Sequence, residues 1–273
     1  MKKNIIFPLI FLILSLTVMN QFAAGQAPHI HRQKCIGGTR DEYILYMIKL
    51  ADGNYLSCGT SESQDADFKK TNHYGGYDAF LMKTDKAGNI IWIQNYGGNR
   101  DDIFYNVMET STGDLIAIGT TGSNNGLVSG NHGAPGTDDV WLVKINKDGK
   151  FLQQHCYGGS RSESTLELGM SEGLMMDKDG NILFVGETNS NDGDVSGNHG
   201  DYDGWLVKVN SASFDIIKSK TIGTAAYDAA YNVFEIDGDI FVTGSNSKAA
   251  YTTTDALSVE VNGDGFATRI NGT

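Results

Sequence analysis

The chain has 273 residues, of which 40% are hydrophobic and 20% charged, and it contains 34 glycines but only 3 prolines. This composition is typical of a folded protein with many tight turns and excludes disordered and collagen-like chains. The net charge of −12 argues against nucleic acid and anionic membrane surfaces as partners, because both need a basic patch on the protein.

The first 25 residues have the pattern of a signal peptide. Two lysines precede an apolar run over residues 5–18, and small residues at 23–25 suit cleavage after Gly25. The run is shorter than the roughly 20 residues of a membrane-spanning helix. The sequence therefore predicts an exported protein, periplasmic or extracellular, that does not insert into the membrane after cleavage.

Four repeats of about sixty residues follow. A Gly-Gly pair ends at residues 38, 98 and 159, with a weakened copy at 224, and an Asp-led apolar run such as Asp139-Val-Trp-Leu-Val-Lys recurs in every repeat. Internal repetition at this period indicates a modular fold. The predicted domain spans residues 26–273, with units at about 39–98, 99–159, 160–224 and 225–273.

Each unit contains four runs that alternate apolar and polar residues, as expected for strands. Dipeptides such as Asp52-Gly53 and Asp148-Gly149 join the first run to the second and the third to the fourth, and they suit tight hairpin turns. The third unit carries about six extra residues within 160–176. Four antiparallel strands per repeat are the unit of a β-propeller blade, whereas a β-sandwich would not require a repeating sequence.

The order of these motifs resembles the bacterial SBBP-type β-propeller repeats of exported proteins. The shared pattern is Gly-Gly-x-x-x-Asp, a strand, Asp-Gly-Asn, a strand, a long loop, Asp-x-Phe/Trp-Leu-x-Lys and a last strand, and it covers nearly all of residues 29–273. The resemblance implies an all-β fold of four four-stranded antiparallel blades and says almost nothing about function. The family name implies seven blades, whereas this chain has four.

The two ends of the domain bear on ring closure. Residues 29–38 match the outer, fourth strand of a blade, and residues 266–271 supply the same strand again. Five copies fit a closed four-bladed ring with one extra outer strand, and they fit equally well an open arc, part of a larger propeller or a homodimer. The closed ring is the preferred interpretation, because an arc leaves unpaired strand edges.

The long loops predict where a ligand binds. They lie opposite the hairpins, at residues 61–77, 121–138, 189–202 and 246–254, and loops on a rigid scaffold commonly carry function. The hexapeptide Val-Ser-Gly-Asn-His-Gly occurs in two of them, at 128–133 and 195–200, and its recurrence follows from duplication of the blade. The candidate ligand-binding residues on these loops and the connections beside them are Tyr74, Tyr77, Asp101, Asn131, His132, Asn198, His199, Tyr202 and Tyr251.

Several acids and histidines recur at matching positions. An aspartate opens every third strand, which predicts a role in capping loop amides. A ring formed by Asp41, Asp101, Glu163 and Asp228 would suit Ca²⁺, but capping of loop amides together with solvation is the preferred interpretation. Three matching histidines, His73, His132 and His199, have the number for zinc, but a turn-stabilising role is preferred. No bound metal or cofactor is predicted, and Ca²⁺ is the one ion that stays open.

Two functions stay open. The first is a non-enzymatic binding module that contacts protein or glycan at the cell envelope or outside it through the long loops, since the chain lacks the G-x-S-x-G, HExxH, P-loop and dinucleotide motifs. The second is a polysaccharide-acting hydrolase or lyase with carboxylates from two blades in the central depression. The enzyme hypothesis predicts two or more acids with raised pKa values in one pocket.

Overall fold

The computed structural model describes residues 32–165, 173–248, 253–261 and 268–270. The chain divides into two compact units, Met1–Cys35 and Ile36–Thr273. The predicted signal peptide, residues 1–25, lies outside the described residues. Within the described ranges, no helix is long and apolar enough to cross a membrane.

The second unit consists of four antiparallel sheets, which are the blades of a β-propeller. In the first, second and fourth blades every strand pairs with the next one along the chain. The third blade keeps this order apart from its split first strand, and the four sheets confirm the predicted all-β fold with four blades. The first blade contains β1 (Glu42–Lys49), β2 (Tyr55–Ser61), β3 (Asp78–Thr84) and β4 (Ile90–Tyr96), and the second contains β5 (Asp102–Glu109), β6 (Leu115–Thr121), β7 (Asp139–Ile145) and β8 (Phe151–Tyr157).

The third and fourth blades follow the same order with one interruption. The first strand of the third blade is split, because the extra residues of this repeat separate two short segments that both pair with β11; residues 166–172 lie outside the described residues. The third blade contains β9 (Glu163–Ser164), β10 (Leu174–Met176), β11 (Ile182–Thr188), β12 (Asp203–Val209) and β13 (Ile216–Ile222), and the fourth contains β14 (Asp228–Ile236), β15 (Asp239–Lys248), β16 (Thr253–Val261) and β17 (Thr268–Ile270).

Two sequence predictions about loops and edges are wrong. Residues 32–38 form no strand, so the outer strand predicted over 29–38 does not form over its described part. The described part of the long loop predicted over 246–254 is strand, because β15 and β16 stay paired as far as Lys248 and Thr253; residues 249–252 lie outside the described residues. The long loops of the first three blades are confirmed as the intervals between second and third strands. We call the end of the blades that holds them, together with the connections between blades, the loop face.

The hydrophobic cores lie between neighbouring blades. At the first junction, Phe104 and Val107 of β5 share a cluster with Leu56 and Cys58 of β2, and all four side chains are buried. Trp141 joins this cluster, and its counterpart Trp205 lies in the cluster between the second and third blades. The predicted role of these tryptophans in the core between blades is confirmed.

A glycine at the centre of each second strand allows the first strand to cross closely over it. The first strand bulges there in the first, second and fourth blades. An added Cβ on Gly119 would lie 1.8 Å from the carbonyl oxygen of Ile103, so the two atoms would overlap. The equivalent glycines in the other blades are Gly59, Gly186 and Gly244, with similarly short approaches.

One face of the first blade is exposed. Ile44 and Met47 pair with Gly59 and Ser57, as Phe104 and Val107 pair with Gly119 and Ala117 in the second blade. Ile44 is 51% and Met47 57% exposed, whereas Phe104 is fully buried and Val107 is 1% exposed. Across the described residues, no strand of the fourth blade joins the first sheet. This face of the first blade therefore has no apolar cover among the described residues.

Candidate functional site

A buried aspartate at the start of the third strand holds each described long loop. In the second blade, the carboxylate of Asp139 accepts a hydrogen bond from the backbone N–H of His132 at 3.0 Å and lies 2.7 Å from Nδ1 of the same residue. In the third blade, Asp203 makes the same two contacts with His199, at 3.0 and 2.6 Å. The predicted capping role of these acids is confirmed.

The first blade uses a variant of this arrangement. The carboxylate of Asp78 accepts the backbone N–H of Tyr74 at 3.0 Å and contacts the imidazole of His73 at 2.9 Å. Each of the three matching histidines therefore contacts the aspartate of its own blade. Among the described residues, no group of three or more His, Cys, Asp or Glu side chains is placed to hold a metal.

The repeated hexapeptide is a structural element of the loop. Val128 is buried in the core cluster that contains Trp141, and Ser129 accepts hydrogen bonds from the side chain of Gln154 at 2.8 and 3.0 Å. The side chain of Asn131 donates to the carbonyl of Thr121 at 3.0 Å and accepts from the backbone of Gly133. The second copy repeats the asparagine contact, since Asn198 donates to the carbonyl of Thr188 at 3.1 Å. Four candidate residues thus make contacts that hold their own loops, namely Asn131, His132, Asn198 and His199.

A second acid opens the first strand of each blade, and it is buried in the second, third and fourth blades. Asp102 accepts hydrogen bonds from the backbone of Gly98 at 2.7 Å and the hydroxyl of Ser123 at 3.0 Å, and Glu163 accepts the equivalent backbone bond from Gly159 at 2.9 Å. These bonds fix the Gly-Gly connection that leads into the blade. The repeat-equivalent acids are Glu42, Asp102, Glu163 and Asp228.

The predicted ring of acids is therefore wrong by one residue in the first two blades. Asp41 and Asp101 each precede the acid that binds the Gly-Gly connection, and two adjacent acidic residues in the sequence conceal which of them turns inward. Asp101 is exposed, and its Oδ1 accepts the backbone N–H of Tyr77 at 2.9 Å. This contact ties the long loop of the first blade to the second blade.

The two kinds of buried acid meet at the blade junctions. An added Cβ at Gly158 would lie 2.4 Å from Oε2 of Glu163 and 2.8 Å from Oδ1 of Asp139, so both carboxylates contact the same glycine. Burial raises the pKa of Asp102 to about 7 and that of Asp78 to about 6. It also raises the pKa values of Asp139, Glu163 and Asp203.

The raised pKa of Asp102 predicts a stability that falls as the pH rises. Between about pH 4 and pH 7 the folded chain keeps this proton and the unfolded chain loses it, so the pKa shift lowers the free energy of unfolding by up to about 1.4 kcal/mol per pH unit. We expect Asp102→Asn to reduce the difference in stability between pH 5 and pH 7 by about 1–3 kcal/mol. Urea denaturation at the two pH values measures this change. The exposed neighbour provides the control, because Asp101→Asn should keep the pH dependence of the parent; an unchanged dependence in Asp102→Asn contradicts the prediction.

Two polar pockets open on the loop face at equivalent positions. The first is a cavity of about 250 Å³ between the connection at Asn99 and Arg100 and the long loop of the second blade. The second is about 360 Å³ and lies between Ser160 and Arg161 and the long loop of the third blade. The side chains that line them include Asn99, Arg100, Asn124, Asn125 and Asn131 in the first pocket, and Ser160, Arg161, Asn189, Asn191, Asp192, Asn198 and His199 in the second.

Each arginine is placed by hydrogen bonds of its own backbone. The N–H of Arg100 donates to Ser123 Oγ at 2.9 Å, and the N–H of Arg161 donates to Ser190 Oγ at the same distance. The guanidinium of Arg161 also donates to Asn189 Oδ1 at 3.2 Å. Sequence reasoning missed both arginines, although the signal is present as Gly-Gly-x-Arg in three repeats.

Three of the candidate residues line these pockets, and the other described candidates lie elsewhere. Asn131 lines the first pocket, and Asn198 and His199 line the second. The other described candidates line neither pocket, and Tyr251 lies outside the described residues. Tyr74 lies against the loop at Gly126, Tyr77 against Tyr43 with ring centroids 6.3 Å apart, and Tyr202 against Tyr227 at 5.6 Å.

A larger cavity of about 580 Å³ lies at the other end of the blades, where the first strands of all four blades end. Its two carboxylates cap hairpins: Glu109 accepts the backbone N–H of Ala51 at 2.7 Å, and Glu235 accepts that of Lys178 at 2.9 Å. The acids with raised pKa values named above line the blade junctions instead. The pairing that the enzyme hypothesis predicts is thus not found among the residues lining this cavity.

Comparison with solved structures finds distant resemblances. No protein-family model and no curated protein matches this chain. The WD40 domain of Neurospora crassa Pan2 is similar at a TM-score of 0.42 and 11% identity over 72% of this chain, and a mutant of the Synechocystis apocarotenoid oxygenase at 0.40 and 11% over 81%. The chain spans about half the length of these two structures, 48% and 47% respectively.

Proposed function

We propose that this chain is an exported binding module that takes glycan segments in the two pockets of its loop face. The observation that carries the proposal is the repetition of one polar pocket, with one arginine and several amide side chains, at two successive blade junctions. Export belongs to the proposal and rests on the pattern of the first 25 residues.

The pocket chemistry favours sugars over an apolar ligand. Asparagine amides donate and accept hydrogen bonds in one plane, which suits the neighbouring hydroxyls of a sugar ring. The guanidinium of Arg100 or Arg161 adds two parallel donors, which match a carboxylate and thus favour a uronate residue. Two equivalent pockets on one domain also allow one polymer to bind twice, which strengthens attachment even when each site is weak.

The test is to measure binding of neutral and uronate-containing oligosaccharides by titration calorimetry. We expect the uronate oligosaccharides to bind, and the double variant Arg100→Ala/Arg161→Ala to bind them at least about tenfold more weakly, since a charge-assisted pair contributes about 1.5–3 kcal/mol. Each pocket then loses its only lining arginine among the described residues.

A matched control separates the pockets from general charge. Lys69→Ala/Lys70→Ala removes two exposed cations from the long loop of the first blade, away from either pocket, and should leave binding unchanged. Equal binding by the arginine variant and the parent, or no binding of any oligosaccharide by the parent, overturns the proposal.

A further inference from the structure

The chain builds the same interface three times between its own blades. At the first junction, Phe104 and Val107 from the first strand of one blade contact a cluster that includes Leu56 and Cys58 from the second strand of the preceding blade. All four side chains are at most 1% exposed. A blade thus has two different apolar faces, one toward the preceding blade and one toward the following blade.

The face of the first blade toward a preceding blade lacks a partner among the described residues. Ile44 and Met47 occupy the positions of Phe104 and Val107 and are more than half exposed. The outer part of this face is already covered, since Phe68 of the long loop packs on Phe80 with ring centroids 5.4 Å apart. The junction between the first and second blades contains the same kind of loop contact, because Val128 of the long loop lies in the cluster of Trp141. Phe68 therefore does not occupy the position that a neighbouring blade would take.

The fourth blade shows the complementary face. Phe241 and Thr243 of β15 occupy the positions that Ile116 and Ile118 hold in the second blade, as their pairing about Gly244 and Gly119 shows. Both isoleucines are 1% exposed, whereas Phe241 and Thr243 are only half-buried. Phe234 stacks on Phe241, with centroids 5.6 Å apart and ring planes 9° apart, and is itself 36% exposed.

We propose that these two faces bind each other between two copies of the chain, the first blade of one copy on the fourth blade of the other. Met47 of one copy then lies against Phe241 and Thr243 of the other, as Val107 lies against Leu56 and Cys58 within the chain. A second copy is the fitting occupant because every copy carries both halves of this interface. When both contacts form together, a two-fold dimer leaves neither face exposed, whereas a single repeated contact would produce a filament.

Engineered cysteines test the contact directly. The double variant Met47→Cys/Thr243→Cys is made in a Cys35→Ser background, because Cys35 is the exposed native thiol in the described residues. The chain is expressed with its own N-terminal segment, purified as the cell processes it, and oxidised mildly. We expect a disulfide-linked species of twice the chain mass on denaturing, non-reducing gels, and monomer mass for each single variant, since a disulfide requires Cα atoms within about 7 Å.

Three other outcomes of the cross-linking experiment are possible, and each of them overturns the proposal. A cross-link within one chain, seen at monomer mass and located by proteolysis, shows that the ring closes on itself. Cross-linked dimers of a single variant show contact between two identical faces. No cross-link together with a monomeric parent shows that the two faces do not bind each other.

The molar mass in solution provides an independent measurement. By sedimentation velocity the parent should have twice the chain mass, and Ile44→Asp/Met47→Asp should halve that mass. Ile91→Asp is the matched control, because Ile91 is 50% exposed on the outer strand β4 and should leave the dimer intact. A parent that stays monomeric across the concentration range contradicts the proposal.

Discussion

Replacing Phe104 with alanine is expected to lower the free energy of unfolding by about 3–5 kcal/mol, the usual cost of removing a buried aromatic ring. Phe104 is fully buried and stacks on Trp141, with ring centroids 5.2 Å apart, and its ring also lies 5.8 Å from that of Tyr96. Tyr96 belongs to the first blade, so the truncation opens a cavity in the junction between two blades. Urea denaturation followed by tryptophan fluorescence measures the loss.

The control for Phe104 is an exposed apolar residue of the neighbouring blade. Ile91→Ala should cost no more than about 0.5 kcal/mol, because Ile91 is half exposed and surface substitutions rarely cost more. If Phe104→Ala is as mild as Ile91→Ala, the blade junctions do not carry the stability of the domain.

Gly119→Ala is expected to destabilise the chain by about 3 kcal/mol, at the upper end of the usual cost of overpacking. The added methyl group would lie 1.8 Å from the carbonyl oxygen of Ile103, and the neighbouring atom is backbone, so no rotamer change relieves the clash. The first strand must move away from the second, which weakens their hydrogen bonds. Thermal and urea denaturation measure this effect.

Gly130→Ala distinguishes this clash from the ordinary cost of replacing a glycine. Gly130 has a positive φ of 87° with no other atom near its Cβ position, so alanine there is strained only by its backbone conformation, at about 1–2 kcal/mol. A loss in Gly119→Ala no greater than in Gly130→Ala would show that the first strand moves aside without cost.

Features set by local residue chemistry could be predicted from the sequence. The hairpin glycines Gly53 and Gly113 adopt φ values of 82° and 83°, as turns of this length require, and alternating apolar residues located the strands. Repetition of the aspartate at the start of third strands indicated a structural role, and Asp139 and Asp203 confirm it.

Features that depend on neighbours in space could not be predicted. Ile44 and Met47 are as apolar as Phe104 and Val107, so the sequence cannot distinguish a covered blade face from an open one. The choice between Asp101 and Asp102 depends on which of two adjacent carboxylates turns inward. Asp102 turns inward, where its partners come from the Gly-Gly connection and from the long loop, at Gly98 and Ser123. The arginines of the pockets recur in the sequence, but the pockets form only where the connection that holds each arginine meets a long loop distant in sequence.

Because neighbouring blades pack through equivalent residues at every junction, such a chain can change its length by whole blades. A duplicated sixty-residue unit brings with it both the face that the preceding blade needs and the face that the following blade offers. Insertion of another unit therefore creates one more junction of the existing kind and leaves the same two faces at the ends. Growth by whole blades requires no new type of contact, and the identical hexapeptides at 128–133 and 195–200 are what such a duplication leaves behind.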